Sequence, residues 1–180
     1  MSRWIGLPVM VVAAALVAAC GVSEPRGDPV TFPPRTFGAA GSPTPAMERA
    51  RAEIAGALGA VGILLDEPQA PYRPAEAARF GAAPRTVVRA VLPDDLTRGL
   101  ISIYGFTDSA TAVQAAREQA AYVGSPVGRV QFPTGTQFTI RQLDSTVIFY
   151  GEVTGASPDA QAADVAEALR TLGEAVPVPG

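Results

Sequence analysis

Few side chains in this sequence can do chemistry, and their types limit which chemistry. The chain of 180 residues has one cysteine, Cys20, and contains no histidine, lysine or asparagine. Without imidazole there is no Ser-His-Asp triad, no histidine general base and no histidine metal ligand. A lone cysteine builds neither a disulfide framework nor a thiolate zinc site. Carboxylates, arginines, tyrosines and hydroxyls remain. A glycosidase needs two carboxylates facing each other across a cleft. Here Asp94–Asp95 and Asp66–Glu67 are adjacent and read as solvated turns, and Asp144 falls in a hairpin turn. Asp159, Asp164 and Glu167 gather near the start of a helix, where acids suit the dipole. No nucleophile-elbow, Walker, dinucleotide or calcium-loop motif occurs. The sequence therefore gives no catalytic residue, no metal set and no cofactor.

What Cys20 can do follows from the residues before it. Arg3 precedes an apolar stretch that is interrupted by Pro8 and runs from Val9 to Ala19. That is a charged n-region followed by a hydrophobic region, shorter than the roughly 20 residues of a transmembrane helix and without a positive flank after it. The stretch Val17-Ala18-Ala19-Cys20 resembles the lipobox of bacterial lipoproteins: an aliphatic residue, two small residues, then cysteine. The resemblance covers residues 1–21. It implies a signal peptide over 1–19, cleavage before Cys20, diacylglycerol on its sulfur and an extracytoplasmic domain anchored to the cell membrane or an outer membrane. Two acyl chains, at about 0.8 kcal/mol per buried methylene, hold such a protein stably where one chain is marginal. Gly21 is not the acidic residue that marks retention at the inner membrane in two-membrane bacteria. All 14 basic residues are arginine, which suits a GC-rich genome, and the folded part is similar to lipoproteins of GC-rich bacteria.

Without residues 1–19 the balance is 13 basic against 17 acidic residues, which gives no footprint for nucleic acid. Residues 20–44 carry the anchor and a Pro/Gly-rich linker, which at full extension reaches about 75 Å. A single domain is expected over 45–176, followed by a short tail at 177–180. Thr44 and Pro45 open a helix over 45–61 with Met47, Ala50, Ile54, Leu58 and Val61 on one stripe. Gly56, Gly59 and Gly62 lie three apart, suited to a close approach of another backbone, to a membrane surface, or to a helix giving way to buried extended chain. Residues 66–85 read as a loop with one helical turn after Pro74.

From Thr86 onward β-branched runs alternate with helical stripes. Strands are predicted at 86–92 and 100–106, a helix at 109–122 that Thr107-Asp108 caps and Gly124 ends, strands at 137–142 and 146–151, and a helix at 159–172. This β-β-α-β-β-α order predicts an α+β domain, with a four-stranded, mainly antiparallel sheet, both helices on one face and an extra N-terminal helix before it. Strands 100–106 and 146–151 are expected side by side in the middle. The arrangement resembles a permuted ferredoxin-like sheet, a likeness of topology that carries no function.

Alternation then assigns Val88, Ala90, Leu92, Ile101, Ile103, Phe138, Ile140, Val147 and Phe149 to the helix side. It places Arg89, Tyr104, Arg141 and Tyr150 together on the other face, where they would meet an anionic or aromatic ligand or a partner protein unless the first helix covers them. The expected function is a non-enzymatic binding or interaction domain carried to the cell envelope by lipid on Cys20, with an envelope protein or a small ligand as partner. The alternative is an oligomeric α+β barrel resembling small antibiotic-biosynthesis or haem-degrading monooxygenases, or a ligand carrier of that shape. A spacer without a ligand is the third reading.

Overall fold

The computed structural model describes residues 42–180; Cys20, the apolar run before it and most of the linker lie outside the described residues. The chain runs through α1 (Pro45–Gly59), β1 (Leu65–Asp66), α2 (Ala78–Ala82), β2 (Arg85–Ala90), β3 (Leu100–Gly105), α3 (Ser109–Gly124), α4 (Pro126–Arg129), β4 (Thr136–Leu143), β5 (Thr146–Val153), α5 (Ala162–Arg170) and β6 (Glu174–Ala175). The domain is α+β. Its sheet is antiparallel throughout and has six strands rather than four, in the order β1-β2-β3-β5-β4-β6. The expected β-β-α-β-β-α core is present, with β3 and β5 adjacent at its centre. The added strands are two-residue edges, too short to leave a periodic signal.

Local chemistry explains the elements. The Thr44 hydroxyl accepts from the Met47 amide at 3.3 Å and Pro45 opens α1, so the first orphan donors are met. Asp108 does the same for α3, accepting from the Thr111 amide at 2.7 Å. Asp144, at φ 49°, turns β4 back into β5, a left-handed position that Asp tolerates better than most residues.

Helix placement departs from expectation. Met47, Ala50, Ile54 and Leu58 of α1 and Val165, Ala166 and Leu169 of α5 pack on Val88, Ala90, Ile101, Ile103, Ile148 and Tyr150. Helix α3 packs its Ala112, Ala115, Ala116, Ala120 and Val123 on the other side, with Phe80, Tyr104, Ile140, Val147 and Phe149. The two helices that follow the hairpins thus lie on opposite faces, unlike the one-sided layer of a ferredoxin-like sheet. The reason is register. Ile101 pairs with Tyr150 and Ile103 with Ile148, so the alternation read correctly inside each hairpin is offset by one residue between them.

The tail is part of the structure as well. Val176 and Val178 are partly buried against the α3 core, and the Val176 amide donates to the Ile140 carbonyl at 3.0 Å.

The α1 glycines do not mark a close approach: a Cβ on Gly56 or Gly59 meets nothing within 4 Å, and Gly62, at φ 78°, forms the turn after the helix. Gly173 is different, because it sits at φ 44° and its missing side chain is where the Gln142 carbonyl lies. Gly56→Ala is therefore expected to stabilise the chain by about 0.5–1 kcal/mol. Gly173→Ala should destabilise it by about 2–3 kcal/mol through backbone strain and overlap. Urea unfolding of the full chain checks both; equal effects would contradict these placements.

Candidate functional site

The four side chains expected on one face are divided by the register offset. Arg89 and Tyr104 lie on the α3 side of the sheet, while Arg141 and Tyr150 lie on the α1/α5 side. Three of the four are already occupied. Arg89 is buried and donates to the Leu96 carbonyl at 3.1 Å and to Asp66 at 3.2 Å, which ties β1 and the β2–β3 loop to the sheet. Arg141 donates to the carbonyls of Leu172 at 2.5 Å and Gly173 at 2.6 Å. It holds the turn between α5 and β6 against β4.

Tyr104 donates to a carboxylate the sequence did not single out. Glu76 comes from the loop between β1 and α2, and its side chain is only 4 % exposed. Its Oε1 accepts from the Tyr104 hydroxyl at 2.7 Å and from Arg85 at 2.5 Å, and its Oε2 accepts from Arg73 at 2.7 Å. Burial, and after it the nearby Glu76 charge, pushes the Tyr104 hydroxyl well above the ordinary tyrosine range. Beside it the buried Gln119 amide of α3 bonds the Ala77 amide at 2.7 Å and the Ala75 carbonyl at 3.0 Å. The Pro-rich loop is thereby stitched to the sheet and to α3. No hydrophobic period signals such a loop; the hint in the sequence was one acid, Glu76, between Arg73 and Arg85.

Tyr150 is the exception. Strand β5 runs past the start of β3, so beyond Tyr150 it pairs with β4 alone. At this end of the sheet lies a cleft of about 260 Å³, lined among others by Tyr72, Arg98, Phe132, Tyr150, Glu152 and Ser157. Tyr72 reaches it from the loop that Glu76 holds. Asp95 and Asp159 build the neighbouring wall, and both are buried, Asp95 contrary to the solvated turn expected of it. Asp95 accepts from Ser157 at 2.8 Å and from the Thr97 hydroxyl at 2.8 Å, and pairs with Arg98 at 2.9 Å. Asp159 accepts from the Asp94 amide at 3.0 Å. The β2–β3 loop and the loop before α5 are locked together by these bonds.

Burial raises the Tyr150 hydroxyl, with the Glu152 charge second, and burial likewise raises the Glu152 carboxyl. A proton on Glu152 is favoured more in the folded than in the unfolded chain. Its contribution to stability is thus present below the unfolded value and lost as pH rises through the folded one, so at neutral pH the ionised group opposes folding.

Among the described residues no group of three or more metal-ligating side chains occurs, and no helix is long and apolar enough to cross a membrane. The arrangement offers one anion, one cation, hydroxyls and aromatic walls, which is equipment for binding. Comparison with protein-family models, with curated proteins and with solved structures gives no match for this chain.

The two glutamates should respond oppositely. Glu76→Ala strands two arginines and a buried tyrosine and is expected to lower stability by about 2–3 kcal/mol. Glu152→Gln removes a charge that opposes folding, so the midpoint of thermal unfolding at pH 7 should stay level or rise. Calorimetry on the full chain distinguishes the two roles; a marked drop for Glu152→Gln would make it a structural residue.

Proposed function

We propose that this chain is a lipid-anchored, extracytoplasmic binding protein without catalytic activity, whose domain takes a small ligand in the cleft beside Tyr150. The observation that carries the reading is the contrast between the cleft and the rest of the molecule. Elsewhere Arg89, Arg141, Tyr104 and Glu76 are spent on carbonyls and on one another. In the cleft the half-buried Glu152 holds its charge at a cost to folding, a common feature of sites selected for binding.

The tether rests on the sequence, on Val17-Ala18-Ala19-Cys20 and the apolar run before it. Lipid on Cys20 would hold the domain at the outer leaflet of the cell membrane or at an outer membrane. The permuted ferredoxin-like description fits the order of the inner strands β2-β3-β5-β4, though not the placement of the helices. The barrel alternative, an oligomeric monooxygenase or carrier, needs a bare sheet face to meet a second copy. Here α1 and α5 take one face and α3 the other, which favours the binding protein.

Expression of the full chain and of its Cys20→Ala variant in a bacterial host tests the tether. The wild-type chain should enter the detergent phase, with a mature N-terminus at residue 20 carrying a diacylglycerol mass. The variant should lose both properties. Membrane attachment that survives Cys20→Ala unchanged would overturn the lipoprotein reading.

A further inference from the structure

The cleft at the end of the sheet presents two opposite charges that are not spent on each other. Arg98 is bound through its Nε to Asp95 at 2.9 Å, and its side chain is 41 % exposed. Among the described residues that is its ion pair, which leaves both terminal nitrogens for a further acceptor. Asp95 in turn is shared with Ser157 and Thr97, so its charge is not devoted to Arg98. Glu152 is half-buried, and the charge acting on it is Arg170 of α5 rather than Arg98. Arg170 is itself paired with Glu167 at 2.8 Å. Tyr150 lines the same cleft and feels the Glu152 charge and the Arg98 charge with opposite sign.

The walls suit a particular body between two such ends. Tyr72, Tyr150 and Phe132 line the cleft with aromatic surface, which receives apolar groups and, through the ring faces, cations. Its volume of about 260 Å³ falls below the 300–1,000 Å³ usual for drug-sized ligands. A molecule of amino-acid size fits within it. A purely anionic ligand would be repelled by the half-buried Glu152, and a purely cationic one by Arg98, whose charge Asp95 offsets only in part because Asp95 is shared with Ser157 and Thr97. A ligand with both charges satisfies both groups.

Resting on the binding reading above, we infer that the cleft takes a small zwitterion, its cationic nitrogen held by Glu152 and the tyrosine rings and its carboxylate by the terminal nitrogens of Arg98. Two kinds of molecule carry this chemistry, the free α-amino acids and the methylated betaines. The aromatic lining favours a ligand with an apolar or methylated body over glycine itself.

Isothermal titration of the full chain in detergent tests the inference, with L-phenylalanine, L-leucine and glycine betaine as zwitterions, benzylamine and choline as cations, and benzoate as an anion. At least one zwitterion should bind no less than tenfold tighter than every single-charge probe. Glu152→Gln and Arg98→Gln should each weaken that binding at least tenfold; Glu152→Gln should unfold at an unchanged or higher temperature, and Arg98→Gln, which takes the ion pair from Asp95, should still melt cooperatively. Binding by phenylalanine or leucine alone identifies an amino-acid site, and binding by glycine betaine alone a methylammonium site. If benzoate, benzylamine or choline binds as well as the zwitterions, the zwitterion inference fails and the binding reading stands. If no probe binds a chain that melts cooperatively, both fail.

Discussion

The carboxylate of Glu76, buried under the loop that bears it and held by Arg73, Arg85 and the Tyr104 hydroxyl, is the constraint on which the rest of this domain depends. A buried carboxylate without partners would be expelled from the fold or neutralised. With three donors around it, it instead joins a Pro-rich loop, strand β2 and the central strand β3. Gln119 adds a second fastening from α3. Through these bonds a stretch with no regular structure of its own covers the open side of the sheet near Phe80, and Tyr72 is carried to the cleft.

A sheet covered on both faces has little room for exposed chemistry. Helix α3 manages its contact with small residues, Ala112, Ala115, Ala116 and Ala120, which let a helix lie close to the strands, while α1 and α5 use larger aliphatic side chains on the opposite face. Polar groups inside such a layer must be satisfied locally: Arg141 holds two backbone carbonyls at the margin of the sheet, and Arg89 holds the Leu96 carbonyl and Asp66 through its terminal nitrogens while its Nε stays unpaired. Chemistry is displaced to the end of the sheet, where β5 outruns β3 and two loops joined by Asp95, Ser157 and Asp159 form a wall. The cleft is thus a product of unequal strand lengths as much as of its lining residues.

Much of this was legible in the sequence. Thr44-Pro45 and Asp108 marked helix starts, Asp144 marked a turn, and the alternation of strands and helices gave the order of the core elements and the central pairing. The relation between hairpins was not legible. Val147, Ile148, Phe149 and Tyr150 are apolar on both sides because both faces of β5 are buried, and a strand covered on both faces loses the period that would tell one side from the other. The four-residue platform therefore came apart into two pairs, and of its members Tyr150 alone lines the cleft. Glu76, Arg98 and Glu152 were missed because a loop acid and a strand-end pair acquire meaning only from long-range packing. Cys20 stands apart, since the proposal made for it rests on the local pattern around it alone.

Amide hydrogen exchange tests the central claim, that the Glu76 carboxylate pins its loop to the sheet. The Ala77 amide, bonded to Gln119, should be protected in the wild-type chain. In Glu76→Gln it should exchange at least tenfold faster, while the amides pairing β3 with β5 keep their protection. Unchanged protection of Ala77 in that variant, or its loss together with the whole sheet, would contradict the account.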